Sequence, residues 1–184
     1  RFVAQLAFVP TPQVFAAMRE LAASIGIVSA ERVRDELVKL LLAPHPRAGL
    51  ELLTESGLAA HVLPELPALR LEVDEHHRHK DVYEHTLTVL EQSIDLEHRL
   101  TPRGQPARPD FVSRFAALMH DVGKPKTRRF ESGGTVTFHH HDVVGAKLTR
   151  KRLQALRFSG DTVDAVAKLV ELHLRFHGYG AGDW

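Results

Sequence analysis

Apolar residues recur along this chain at steps of three and four, and strict alternation is nearly absent. That is the signature of amphipathic helices. The opening "RFVAQLAFVPTPQVFAAMRELAASIG" reads as helical on both sides of a break at Pro10 to Pro12, with Gly26 as its stop. In "VSAERVRDELVKLLLAP", Ser29 is the expected N-cap and Glu31 lies in the first turn; Val33, Leu37, Leu40 and Leu41 form the buried stripe, and Pro44 and Pro46 end the helix. "RAGLELLTESGL" predicts a short helix closed by Gly57, and "HVLPELPALR" a proline-punctuated connector.

A second helical region begins near Leu71. A histidine-rich loop, "DEHHRHKD", leads into a helix from about Val82 to His98, with Tyr83, Leu87, Leu90 and Ile94 on its stripe. The Pro/Gly loop "TPRGQPARP" precedes a helix that ends at Met119, with Phe111, Phe115 and Met119 on one face. "TRRFESGGTVTF" is the only strand-like piece, and its Ser-Gly-Gly predicts a small hairpin. Helices over about 141–156 and 161–177 complete the pattern. The expected fold is all-α: a small helical neck over residues 1–70, then a helical bundle over 71–184 with one short β-hairpin.

Composition narrows the class. The chain has 184 residues and 43% apolar content, enough for a real core. It has no cysteine, which excludes disulfides and thiolate metal sites and fits a reducing, cytoplasmic setting. No apolar run approaches about 20 residues, so no membrane span is expected, and no signal peptide is visible. The chain opens on Arg1 and stops after "HGYGAGDW", and both ends read as cuts through a longer protein.

Net charge is only +1, but its distribution is uneven: from Lys124 to Arg157 there are nine basic residues against Glu131 and Asp142. Lys126, Arg128 and Arg129, with the Lys147–Arg150–Lys151 face, are candidate RNA- and phosphate-binding residues. A solvated basic face is the alternative.

Thirteen histidines cluster at separated points. His85 lies beside the apolar stripe of its helix, either as a hydrogen-bonded core histidine or as a ligand. Val163, Val166, Val170, His173 and His177 step by three and four, so an apolar stripe turns into histidine. Either the helix leaves the core there, or its inner face runs into a polar cavity; for His177 the first is expected. His139 and His141 are expected on one side of an extended segment, with His140 opposite. His141 precedes Gly145 by one turn, beside a place where another backbone can come close. In "FAALMHDVGKP", His120 and Asp121 stand where a helix runs out and can converge on one ion, while Gly123 frees the backbone to turn away. Imidazole plus carboxylate suits Mn, Fe, Co, Ni or Mg. Lys124 then offers a cation to a phosphate oxygen.

"DVYEHTLTVL", "FAALMHDVGKP" and "HHHDVVGAKL" together resemble the HD superfamily of metal-dependent phosphohydrolases. The resemblance implies metal ligands His85, His120, Asp121, His141 and His173, with His120, Asp121 and Lys124 as catalytic residues. The family's final Asp is expected beyond Trp184, since Asp161 and Asp164 come too early. "RFVAQLAF", "SAERVRDELVKLLL", "GL…LL…SGL…VLPEL" and "HKDVYEHTLTVLEQ…RFAALMHDVGKP", in that order, resemble the neck and HD region of bacterial tRNA nucleotidyltransferases, the class II CCA-adding enzymes and their poly(A) polymerase relatives. This implies tRNA and a phosphorylated nucleotide or RNA end as partners. It also implies a missing N-terminal head, the only part that would use ATP and CTP, where CCA or poly(A) addition is decided. The HD region is then expected to hydrolyse phosphomonoesters or 2′,3′-cyclic phosphates. Alternatives are a non-catalytic helical spacer or tRNA-binding module and a stand-alone HD nucleotidase.

Overall fold

The computed structural model describes residues 1–70, 81–131 and 135–176. Within them the regular secondary structure is helical apart from one two-stranded antiparallel hairpin. The N-terminal region carries α1 (Phe2–Leu6), α2 (Pro12–Glu20), α3 (Ala30–Leu41), α4 (Pro46–Glu55) and α5 (Ala59–Val62). Then come α6 (Val82–Leu100), α7 (Phe111–Met119), α8 (Lys124–Thr127), β1 (Arg129–Phe130), β2 (Val136–Thr137), α9 (His141–Ala155) and α10 (Gly160–Leu172).

The local signals account for most boundaries. Ser29 caps α3 by accepting from the Arg32 N–H, and Thr11 caps α2 with Pro12 at its first turn. Gly57 follows α4 at φ +79°, a conformation open to glycine. Asp81 accepts from the Tyr83 N–H to start α6, Asp110 accepts from Val112 and Ser113 to start α7, and Ser159 caps α10.

Two boundaries differ from the sequence reading. Helix α2 ends at Glu20, and a 3₁₀ turn, Ala22–Ile27, runs straight through Gly26. Helix α2 buries no residue, so packing gives it nothing to extend along. The supposed connector after Gly57 is built instead of α5 and a 3₁₀ turn, Pro67–Leu69, and its Leu63, Leu66 and Leu69 are fully buried. Pro67 opens that turn, where proline is tolerated, rather than breaking a helix. The Ser-Gly-Gly turn, His76, His77, His79 and His177 lie outside the described residues.

One apolar cluster runs through the whole described chain. It joins Leu37, Leu41, Leu50, Leu63 and Leu66 to Leu87, Leu90, Phe115, Met119, Leu153, Val163 and Val170. Helix α10 packs on α9 and α7, and α7 packs on α6. The ends of α7 and α10 and the starts of α6 and α9 are thereby brought together.

A buried cation ties the N-terminal helices to this bundle. Arg114 on α7 is 3% exposed. It donates through Nε and Nη2 to both oxygens of Glu97 on α6, at 2.6–3.1 Å. Its Nη1 donates to the carbonyls of Leu41 (2.7 Å) and Ala43 (3.1 Å). Leu41 is the last residue of α3, so the guanidinium also satisfies a carbonyl that the helix end leaves open. Arg114→Met strands Glu97 and both carbonyls. It is expected to cost about 3–5 kcal/mol, read by urea denaturation; a loss below about 1 kcal/mol would contradict the tie.

Candidate metal centre

Two helix ends and two helix starts meet at Asp121. His120 is the C-cap of α7, and Asp121 follows it. The chain then turns tightly, with Val122 N–H donating to the Met119 carbonyl and Lys124 N–H to the Asp121 carbonyl. His85 sits in the first turn of α6, His141 opens α9, and His173 caps α10 and begins a 3₁₀ turn to Phe176. The last helix therefore stops short of the predicted His177, and its inner face does run into a polar cluster.

Asp121 is 2% exposed and collects four imidazoles. Its Oδ2 lies 3.1 Å from His120 Nε2 and 3.9 Å from His85 Nε2. Its Oδ1 lies 3.3 Å from His141 Nε2 and 3.9 Å from His173 Nε2. Two ligand groups result, His85–His120–Asp121 and Asp121–His141–His173, each with its ligand atoms within 4.8 Å of one another. Asp121 belongs to both.

The tautomers follow from the backbone. Each of three imidazoles meets, through Nδ1, the carbonyl three residues earlier: His120 with Ala117 (2.8 Å), His141 with Phe138 (2.8 Å) and His173 with Val170 (2.7 Å). A carbonyl only accepts, so Nδ1 carries the hydrogen and a neutral ring turns a bare Nε2 inward. His141 Nε2 and His173 Nε2 are 3.2 Å apart. Bare nitrogens that close to each other and to carboxylate oxygens repel unless a cation lies among them. Asp121 Oδ2 is also buried without an aligned hydrogen bond, although Lys124 Nζ is 3.0 Å away. This donor set, imidazole nitrogens around a carboxylate, fits a divalent first-row ion.

Without a metal the cluster compensates with protons. Burial works against a charge on His120, but the negative charge of the adjacent Asp121 carboxylate lifts His120 above the usual imidazole range. Burial likewise opposes charge on Asp121, yet His120, His141 and Lys124 hold it well below the usual carboxylate range. His173 is pushed down to about 4, chiefly by burial, so it is neutral at pH 7. Neutral imidazole is the form that binds metal.

Backbone contact sets the spacing. A Cβ on Gly123 would fall 2.0 Å from the His141 carbonyl oxygen and 2.8 Å from the Gly145 nitrogen. Gly123 has an ordinary helical φ of −78°. Space demands this glycine, then, and not the backbone freedom expected from the sequence. A Cβ on Gly145 would lie 3.4 Å from Gly123 N and 3.5 Å from the His120 oxygen, the close approach anticipated there.

The expectation of an extended histidine triplet needs correction. His139 and His140 are exposed, and His140 is left-handed (φ 61°) at the start of α9, so the triplet is a turn and not an extended segment. Lys124 is buried, with its ammonium on Asp121 and 5.5 Å from the Phe138 ring centroid. Lys126, Arg128, Arg129, Lys147 and Lys151 are exposed, but Arg150 is ion-paired with Asp164 across to α10. The carbonyls of Ala117, Phe138 and Val170 were missed because backbone oxygens leave no residue-type signal.

A helical bundle that gathers imidazoles and a His-Asp pair on its helix ends is the HD architecture. The HD domain model matches residues 82–181, and the chain belongs to that family. Residues 7–69 match a second model, described as the probable RNA- and SrmB-binding site of polymerase A. Among curated relatives, the chain is 38% identical over 180 residues to the A-adding tRNA nucleotidyltransferase of Deinococcus radiodurans, covering 95% of this chain and 39% of that protein. It is 41% identical over 153 residues to the CC-adding tRNA nucleotidyltransferase of Thermus thermophilus, covering 81% of this chain and 32% of that protein. It is 30% identical over 184 residues to a multifunctional CCA protein of Neisseria meningitidis, covering 98% of this chain and 41% of that protein. The chain thus spans roughly a third to two-fifths of the length of these relatives.

Two substitutions separate ligand from scaffold. His140→Gly relieves a left-handed residue and is expected to add about 1 kcal/mol of stability with metal affinity unchanged. Gly123→Ala drives a methyl into the His141 carbonyl and is expected to cost about 3 kcal/mol or more. Thermal denaturation and metal titration calorimetry read both. Lost metal binding in His140→Gly would overturn the assignment of His141 as the inward ligand of the triplet.

Proposed function

We propose that residues 82–176 form a divalent-metal-dependent phosphohydrolase that acts on phosphomonoesters or 2′,3′-cyclic phosphates. On this reading it serves a cytoplasmic tRNA nucleotidyltransferase that matures tRNA 3′ ends. The observation that carries it is the convergence of four imidazole Nε2 atoms on a buried carboxylate. No described helix is long and apolar enough to cross a membrane.

His85, His120 and Asp121 hold one ion in this proposal, and Asp121, His141 and His173 serve a second ion or orient the phosphate. A bound divalent ion supplies a water of lowered pKa and screens the phosphoryl charge. Asp121 remains an anion throughout, held so by its neighbours. Lys124, buried with its ammonium 3.0 Å from that carboxylate, offers a cation to a phosphate oxygen bound at the cluster. Lys126, Arg128 and Arg129 add exposed positive charge. Lys147 and Lys151 steer RNA by its backbone without reading bases. Arg150 contributes less to that steering, because Asp164 neutralises it.

Elemental analysis of the purified protein is expected to find Mn, Fe, Co, Ni or Mg. Assays on p-nitrophenyl phosphate and 2′,3′-cyclic AMP are expected to show turnover. Asp121→Asn and His120→Ala should each remove metal and lower kcat/KM by more than about 100-fold, beyond the loss seen for outer partners of a metal site. Full metal occupancy in either variant, or a metal-free and inactive parent, would refute the proposal and leave a structural spacer.

A further inference from the structure

The hairpin beside the metal centre carries a second kind of chemistry. Phe130 on β1 is 70% exposed, and the Arg128 guanidinium lies over its ring, 5.2 Å from the centroid. Lys126, Arg128 and Arg129 are exposed, and none forms an ion pair among the described residues. The nearest acid in sequence, Glu131, accepts from the Thr137 hydroxyl at 3.2 Å. A single exposed phenyl is ordinary, and another cation–ring pair, Arg1 over Phe2, assigns nothing because Arg1 is committed to Glu36. The hairpin differs in that none of its cations is held by a carboxylate among the described residues, and in where it stands.

Its base belongs to the metal centre. Phe138, at the end of β2, gives its carbonyl to His141 Nδ1 and its ring to Lys124. Val136 and Phe138 are buried, which anchors β2, and β1 pairs on it with Arg129 opposite Thr137 and Phe130 opposite Val136. Two residue steps lead from Val136 to Phe138, about 7 Å along a strand. Phe130 therefore sits on the strand paired with the one that leads into the ligand cluster, with guanidinium groups on the same strand and the turn before it.

An exposed ring with uncommitted cations is what single-stranded nucleic acid recognises: bases stack on the aromatic face, and phosphates meet the charges. A duplex keeps its bases stacked internally and cannot use the ring. We infer that β1 is a stacking platform for a single-stranded RNA end, with Phe130 taking a nucleobase and Arg128 and Arg129 the adjoining phosphates. Base-bearing RNA termini are then bound more tightly than small phosphate esters such as p-nitrophenyl phosphate, which reach the cluster without the stack. What happens to the phosphate at the cluster rests on the phosphohydrolase reading; the binding does not.

The test uses the whole chain with Phe130→Trp as a reporter placed at the site, and the unmodified chain, whose one tryptophan is Trp184, as the blank. A single-stranded RNA tetramer is expected to quench the emission of the introduced indole saturably, and inorganic phosphate or a blunt RNA duplex is not. Phe130→Ala, checked for an unchanged Tm, is expected to weaken the labelled tetramer by about 5- to 100-fold in fluorescence anisotropy, the cost of one lost base stack, and Phe130→Tyr to restore it. Equal affinity in Phe130→Ala, or quenching by phosphate alone, overturns the inference. Absence of p-nitrophenyl phosphate turnover in the unmodified chain would refute the phosphohydrolase reading separately and leave these binding results to stand.

Discussion

The structure is organised by one electrostatic requirement. A carboxylate buried to 2% exposure faces imidazole nitrogens whose hydrogens are spent on backbone carbonyls on the far side of each ring. Removing such an anion from water is costly unless positive charge replaces the lost solvation. Lys124 supplies one unit at 3.0 Å and a proton on His120 can supply another, which is why Asp121 stays ionised. The remaining bare nitrogens, with His141 and His173 only 3.2 Å apart, ask for a cation that the side chains do not provide.

The fold exists in this form to hold that arrangement. Backbone contact between Gly123, His141 and Gly145 locks the end of α7 to the start of α9 closer than any side chain permits. Packing of α10 on both helices brings His173 to the same point. Arg114 then joins the N-terminal helices, the region matching an RNA-binding family model, to the bundle through α3's last carbonyl. The apolar core runs without interruption across that joint. The helices that match the RNA-binding model and the proposed metal centre therefore share one continuous apolar core, and the hairpin strands lie in sequence between Lys124 and His141.

Much of this was legible in residue order. The stripe Tyr83–Leu87–Leu90 placed His85 beside the core because a helix repeats every 3.6 residues. The His-Asp pair and His173 were found because imidazole interrupts an otherwise apolar stripe. Other features were not legible. Gly123 looked like a hinge, since a neighbouring carbonyl is invisible in one dimension. The histidine triplet hid a left-handed turn that leaves only His141 inward. Leu63, Leu66 and Leu69 were masked by prolines that start turns as readily as they stop helices. Arg150 read as free charge because Asp164 is supplied by the next helix.

The most direct measurement is anomalous diffraction from crystals equilibrated with Mn²⁺ and recorded on both sides of its absorption edge. The expected result is a peak within coordination distance of the Asp121 carboxylate and His120 Nε2, with a second peak permitted toward His141 and His173. Ordered Asp121 and imidazole side chains with no anomalous density among them would contradict the claim that a divalent cation is what this buried cluster is built around.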